Sequence, residues 1–76
     1  MYCRNILDTF KSMTDDEELI IHFRSGKDMI VTSNSVMGVV NADLQIIRRD
    51  YNDKRVVTFI DPAEVERIRL AQKDKI

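Results

Sequence analysis

The segment ELIIHFRSGKDMIVT, Glu18 to Thr32, decides the fold. Leu19, Ile21 and Phe23 alternate with Ile20, His22 and Arg24, the two-residue period of a strand with one apolar face. Ser25-Gly26-Lys27 is a turn signal. A three-residue loop there sets Arg24 opposite Asp28, Phe23 opposite Met29 and Ile21 opposite Val31, with Gly26 or its neighbour in the left-handed conformation. A two-residue loop would set Arg24 against Lys27 and Phe23 against Asp28, a like-charge pair and an aromatic–carboxylate pair. The spacing therefore predicts a hairpin of Leu19–Arg24 with Asp28–Ser33. His22 falls with Ile20, Arg24, Ile30 and Thr32, away from the Leu19–Phe23 core set.

Upstream, Thr14-Asp15-Asp16-Glu17 matches the capping box, which could open a helix through Leu19, Ile20 and Phe23. The alternation and the turn that follows favour the strand, leaving the acids as a polar connection. Before it, Cys3, Ile6, Leu7, Phe10 and Met13 recur at helical spacing, with Arg4, Asp8, Lys11 and Ser12 on the other side. This predicts an amphipathic helix over residues 3–13. So short a helix is barely stable alone and must dock on the sheet. Met13, Met29 and Met37 suit gap-filling beneath it.

Downstream, Asn34-Ser35 is a weak break, and Val36, Met37, Gly38, Val39 and Val40 form a third apolar segment. Gly38 inside it suggests a bulge, a bend or close backbone approach. Asn41-Ala42-Asp43 reads as a turn. Leu44–Asp50 and Arg55–Ile60 form a second hairpin with Asn52-Asp53 at its tip. A two-residue loop puts Asp50 opposite Arg55, Arg48 opposite Val57 and Ile46 opposite Phe59. Asp61-Pro62-Ala63-Glu64 combines an N-cap Asp with Pro at the first helical position. One helical turn at Pro62–Val65 and a short strand Glu66–Leu70 are expected, with a helix from Pro62 to about Lys73 as the competing reading. Gln72–Ile76 reads as a tail. The whole is a β-dominated α+β domain spanning residues 1–76. An N-terminal amphipathic helix packs on a curved antiparallel sheet or small barrel of about five strands, a meander over residues 19–70.

The order of a helix and about five short strands, with a long second-to-third segment, resembles the small Sm-like barrel over Asn5 to Leu70. The motifs differ. Gly38 and Asp43 are offset from that family's spacing, Asn41 lies between them, and Asp61-Pro62 stands where the family carries its Arg-Gly signature. The resemblance implies a barrel architecture and brings no site residue with it.

A chain of 76 residues buries only about 60–65% of its unfolded surface, so self-association is expected to add stability. Twelve basic and thirteen acidic side chains leave a net charge of −1, which argues against a dedicated DNA- or membrane-surface protein. The charge is uneven, with four basic and seven acidic residues over 1–44 and eight and six over 45–76. Cys3 is the single cysteine, so no internal disulfide or cysteine-based metal cage can form, which fits a cytoplasmic setting. No apolar run has membrane-spanning length.

Chemistry-bearing residues are few. His22 lacks a nucleophile beside it. Cys3 lies near a helix start but on the apolar stripe. Asp15, Asp16, Glu17 and Glu18 are consecutive, and on an extended chain they diverge rather than wrap a cation. Arg48, Arg49, Lys54 and Arg55 surround Tyr51 at one hairpin tip, a pattern able to hold phosphates and stack a base. Arg67 and Arg69 alternate with Ile68 and Leu70. On an edge strand these four either guard the edge or form an interface. The sequence points to a non-enzymatic interaction module without cofactor or metal, its partner a second copy or another protein. Nucleic-acid binding through residues 48–55 is the alternative.

Overall fold

The computed structural model describes residues 1–73. Helix α1 (Cys3–Ser12) is followed by strands β1 (Glu17–Phe23), β2 (Asp28–Thr32), β3 (Val36–Val40), β4 (Asp43–Arg49) and β5 (Arg55–Ile60). A 3-10 turn (Pro62–Glu64) and strand β6 (Val65–Gln72) complete the order. The strands form two antiparallel three-stranded sheets, β2-β1-β6 and β3-β4-β5. This corrects the expectation of one five-stranded curved sheet or barrel. The chain turns at residues 33–35, where the Ser35 amide donates to the Thr32 carbonyl at 3.1 Å. The corner divides the long second segment between two sheets that share no ladder and do not close. Nor is the run a meander, because β6 returns to pair with β1.

The alternation sorts side chains as the pattern predicts. Leu19, Ile21, Val31 and Val65 from the first sheet meet Met37, Leu44, Ile46 and Ile60 from the second, and Ile6 of α1 closes the cluster. Each such burial is worth about 1.5–3 kcal/mol. The stripe reading of α1 holds: Ile6 is fully buried, and Cys3, Leu7, Phe10 and Met13 pack against the same core. Thr14 and Glu17 do bond, the Thr14 amide and hydroxyl both donating to Glu17 Oε1 at 3.0 and 3.1 Å, while the Glu17 amide donates to the Thr14 carbonyl at 3.1 Å. The motif closes a turn into β1 rather than opening a helix.

Both hairpin registers differ from expectation, the first by where its three-residue loop lies and the second by the length of its loop. Phe23 N donates to Lys27 O at 2.8 Å and Gly26 N to Phe23 O at 2.9 Å. Asp50 N donates to Lys54 O and Asp53 N to Asp50 O, both at 3.0 Å. Each loop is thus three residues, 24–26 and 51–53, with its third residue left-handed: Gly26 at φ 90° and Asp53 at φ 60°. In the first hairpin Ile21 faces Met29 and Leu19 faces Val31, a shift of two from the expected pairing that keeps every side chain on its predicted face. In the second, Ile46 faces Thr58 and Gln45 faces Phe59. That shift of one sends Phe59 to the outer face, 56% exposed, as a one-residue slip must.

Gly38 pairs regularly with Gln45, and a Cβ there would touch nothing within 4 Å. The bulge lies instead in β6, where pairing steps from His22–Arg67 to Phe23–Val65 and Glu66 is left over. The region after Pro62 is the expected turn and strand, not a C-terminal helix. Asp61 Oδ1 accepts from Ala63 N at 2.9 Å, and β6 runs through Gln72. Of the expected tail, Gln72 belongs to β6, Lys73 N bonds Asp16 O at 2.8 Å, and residues 74–76 lie outside the described residues. No helix among the described residues is long and apolar enough to cross a membrane.

Asn41 and Ala42 join β3 to β4 with φ of 50° and 68°, the two positive values of a type I′ turn. An L-residue with a Cβ is strained there by about 1–2 kcal/mol. Ala42→Gly should raise stability by up to about 1 kcal/mol, the strain relief exceeding the extra unfolded-chain entropy, seen as a higher urea midpoint. Ile6→Ala should cost about 2–5 kcal/mol. The measurable sign is a lower urea midpoint, with α1 amides exchanging before those of β1.

Candidate functional site

The basic hairpin tip is built by the β4–β5 register. Arg48 faces Val56, and Arg49 faces Arg55 directly. Asp50 Oδ1 accepts from the amides of Asn52 (2.9 Å) and Lys54 (3.0 Å), so the interleaved acid organises the loop rather than neutralising an arginine. Asp53 takes a side of Arg49: Arg49 Nη1 donates to the Asp53 carbonyl at 2.9 Å, and Nε stands 3.8 Å from its carboxylate. Tyr51 is 96% exposed at the tip.

Three of the five tip residues line one groove. Arg48, Arg49 and Arg55 line an open groove of about 590 Å³ between the loop end of the β4–β5 hairpin and the β2–β3 corner. Ile30, Val36 and Ile47 give it an apolar wall, and Thr32, Asn34 and Ser35 a polar one. Tyr51 and Lys54 are not part of it. The corner residues were not legible as site residues, because only the turn at 33–35 brings β2 and β3 alongside β4. Ser35 is 7% exposed, the one buried polar residue among those described.

On the other sheet, β6 is an edge, so Arg67, Ile68, Arg69 and Leu70 stand on an edge strand as expected. Ile68 and Leu70 pack on the core. Arg69 is tied inward instead of standing guard. Its Nε donates to His22 Nε2 at 3.2 Å, while His22 Nδ1 lies 2.7 Å from Asp28 Oδ1. Neutral His22 therefore carries its proton on Nδ1 and accepts on Nε2. The chain Asp28–His22–Arg69 crosses all three strands of the first sheet on its outer face. Periodicity placed His22 on that face. The partners follow from strand pairing that the sequence did not specify.

Cys3 is half-buried and its Sγ donates to the Ala42 carbonyl at 3.2 Å, docking the helix start on the type I′ turn. Burial pushes its thiol pKa up, and the Asp43 and Asp61 carboxylates push it further, against its own backbone amide and the N-terminal amine. Among the described residues, no group of three or more His, Cys, Asp or Glu side chains is placed to hold a metal ion. The acidic stretch is spent on the 14–17 turn and on β1. A second open depression of about 450 Å³ runs beside the first hairpin and the end of β5, with Phe23, Met29, Phe59 and Ile60 among its lining residues.

Comparison of this chain with protein-family models, with curated proteins and with solved structures finds no match.

A thiol whose folded-state pKa is raised contributes stability that is present below its ordinary value and is lost as pH rises through the folded value. Iodoacetamide should therefore alkylate folded Cys3 more slowly than the urea-unfolded chain just below the ordinary thiol range. The urea midpoint should fall as pH is taken above the ordinary thiol value of 9.0, and Cys3→Ala should lose that component of the alkaline decline.

Proposed function

We propose that this protein is a non-enzymatic interaction module that assembles with copies of itself by strand addition at β6. The observation that carries the reading is that β6, eight residues long, is paired on one side only. A long edge strand offers a row of free amides and carbonyls to a second chain.

Three further observations support it. Arg69, one of the two arginines on this edge strand, is turned back onto His22. Large apolar side chains stand on the second sheet's outer face, with Val36 at 63%, Phe59 at 56% and Val57 at 40% exposure, more than a small monomer needs to leave in water. The His22 ring is held at both nitrogens, which leaves it no free lone pair for a proton abstraction. Covering that edge would also add buried area that so short a chain lacks.

Light scattering after size exclusion should give a mass of two chains or more that falls on dilution. Hydrogen exchange should show the outward-facing β6 amides protected at high concentration and exchanging fast when dilute. A single-chain mass at every concentration, with those amides unprotected throughout, would refute assembly through β6.

A further inference from the structure

The arginine groove is a different surface from the β6 edge, and the hairpin register gives it an unusual electrostatic character. Arg49 and Arg55 are direct cross-strand partners, and like charges placed opposite one another destabilise a sheet. Arg48 joins them in the groove, no carboxylate lines it, and among the described residues neither Arg48 nor Arg55 is in an ion pair. Asp53 engages Arg49 alone. The groove is thus lined by Arg49 and Arg55 from one face of the hairpin and by Arg48 from the adjoining position on β4, with Asp53 as one partial counter-charge, an arrangement that a bound anion would relieve.

We propose that this groove binds single-stranded nucleic acid, with Arg48, Arg49 and Arg55 on the phosphates and the bases against Ile30, Val36 and Ile47. Guanidinium forks match phosphate oxygens in pairs. The apolar wall beside them suits flat bases, which single-strand binders stack without regard to sequence. Asn34, exposed at the corner end, presents a polar group within the groove for base edges. Tyr51, almost fully exposed, stands with Lys54 just beyond the Arg49–Arg55 pair, where a strand leaving the groove would meet a ring and a further cation. An acidic peptide would satisfy the arginines but has no use for that ring. The volume lies within the range of about 300–1,000 Å³ typical of small-ligand sites, so one chain would seat a short stretch of strand. With a net charge of −1 the contact is local, and the salt dependence should be shallow.

The test is fluorescence anisotropy of a labelled uridine oligonucleotide titrated with the full chain. Binding is expected at about 20 mM salt, with log K falling against log salt with a slope near about −2, the value for three neutralised phosphates on a single strand. Replacing Arg48 and Arg55 by Ala together should weaken binding at least about tenfold and bring the slope toward about −1. Tyr51→Ala should weaken it about fivefold or more without changing the slope. Arg4→Ala, on the exposed helix surface, should leave it unchanged. Light scattering on each variant separates loss of binding from loss of assembly. Absence of binding at low salt overturns the proposal, as does binding that the double substitution leaves intact. Polyglutamate displacing the probe as well as unlabelled oligonucleotide does would assign the groove to acidic polypeptides instead. Inorganic phosphate doing so at equal concentration would reduce it to a simple anion site.

Discussion

The two sheets of this protein share no hydrogen-bonded ladder, so their joint stability rests on side-chain packing between them. Four residues from each sheet meet in one cluster, and Ile6 from the helix fills it. Every other feature depends on that arrangement. The helix has one fully buried side chain and docks by it, aided by the Cys3 contact to the Ala42 carbonyl. The chain crosses between sheets at residues 33–35 and 61–64, and both crossings are fixed by short turns. Continuous pairing around a barrel would remove all edges. Here packing alone joins the layers, so each sheet keeps two open edges, and the surface chemistry of the molecule lies along them.

Much of this was legible from period alone. Alternation at 18–24 and 28–32, the helical stripe at 3–13 and the Asp61-Pro62 cap each specify a local state that the tertiary structure keeps. What could not be read was connection at long range. Nothing in Glu66 to Leu70 says that it pairs with β1 rather than β5. A break as weak as Asn34-Ser35 does not announce a change of sheet. The groove inherits that limit, since its arginines were visible as a cluster but its opposite wall, Ile30 to Val36, is brought near only by the corner.

The two register shifts show where sequence reasoning is fragile. Both loops use the same three-residue turn, and in the first Gly26 marks the left-handed position. In the second Asp53 takes that position, and Asn52-Asp53 reads equally well as a two-residue tip. The β5 sequence gives no correction, because Val56, Thr58 and Ile60 alternate with Val57 and Phe59, and both sets are apolar enough to face a core. A strand amphipathic in neither register lets the turn decide, and the turn put Phe59 outside. The first hairpin tolerated its error because a shift of two preserves the faces.

Three places in this chain break a local rule, and they differ in how the fold accounts for them. Ala42 sits in the left-handed region, but a two-residue hairpin loop requires that conformation, and its carbonyl holds Cys3. Arg69 and His22 bring two polar groups onto a strand surface, but they satisfy one another and Asp28 in a single chain of hydrogen bonds. Arg49 opposite Arg55 has no such account. The pair costs cross-strand repulsion; Asp53 touches only one member, and the loop's other acid is spent on backbone amides. A sequence settled on stability alone would exchange either residue for Thr or Glu at no cost in packing, since both are exposed. Consistency across levels is the rule for folded sequences, and unexplained exceptions gather at functional sites. That is why the ligand site we propose lies on the β4–β5 hairpin rather than on the better-satisfied histidine chain.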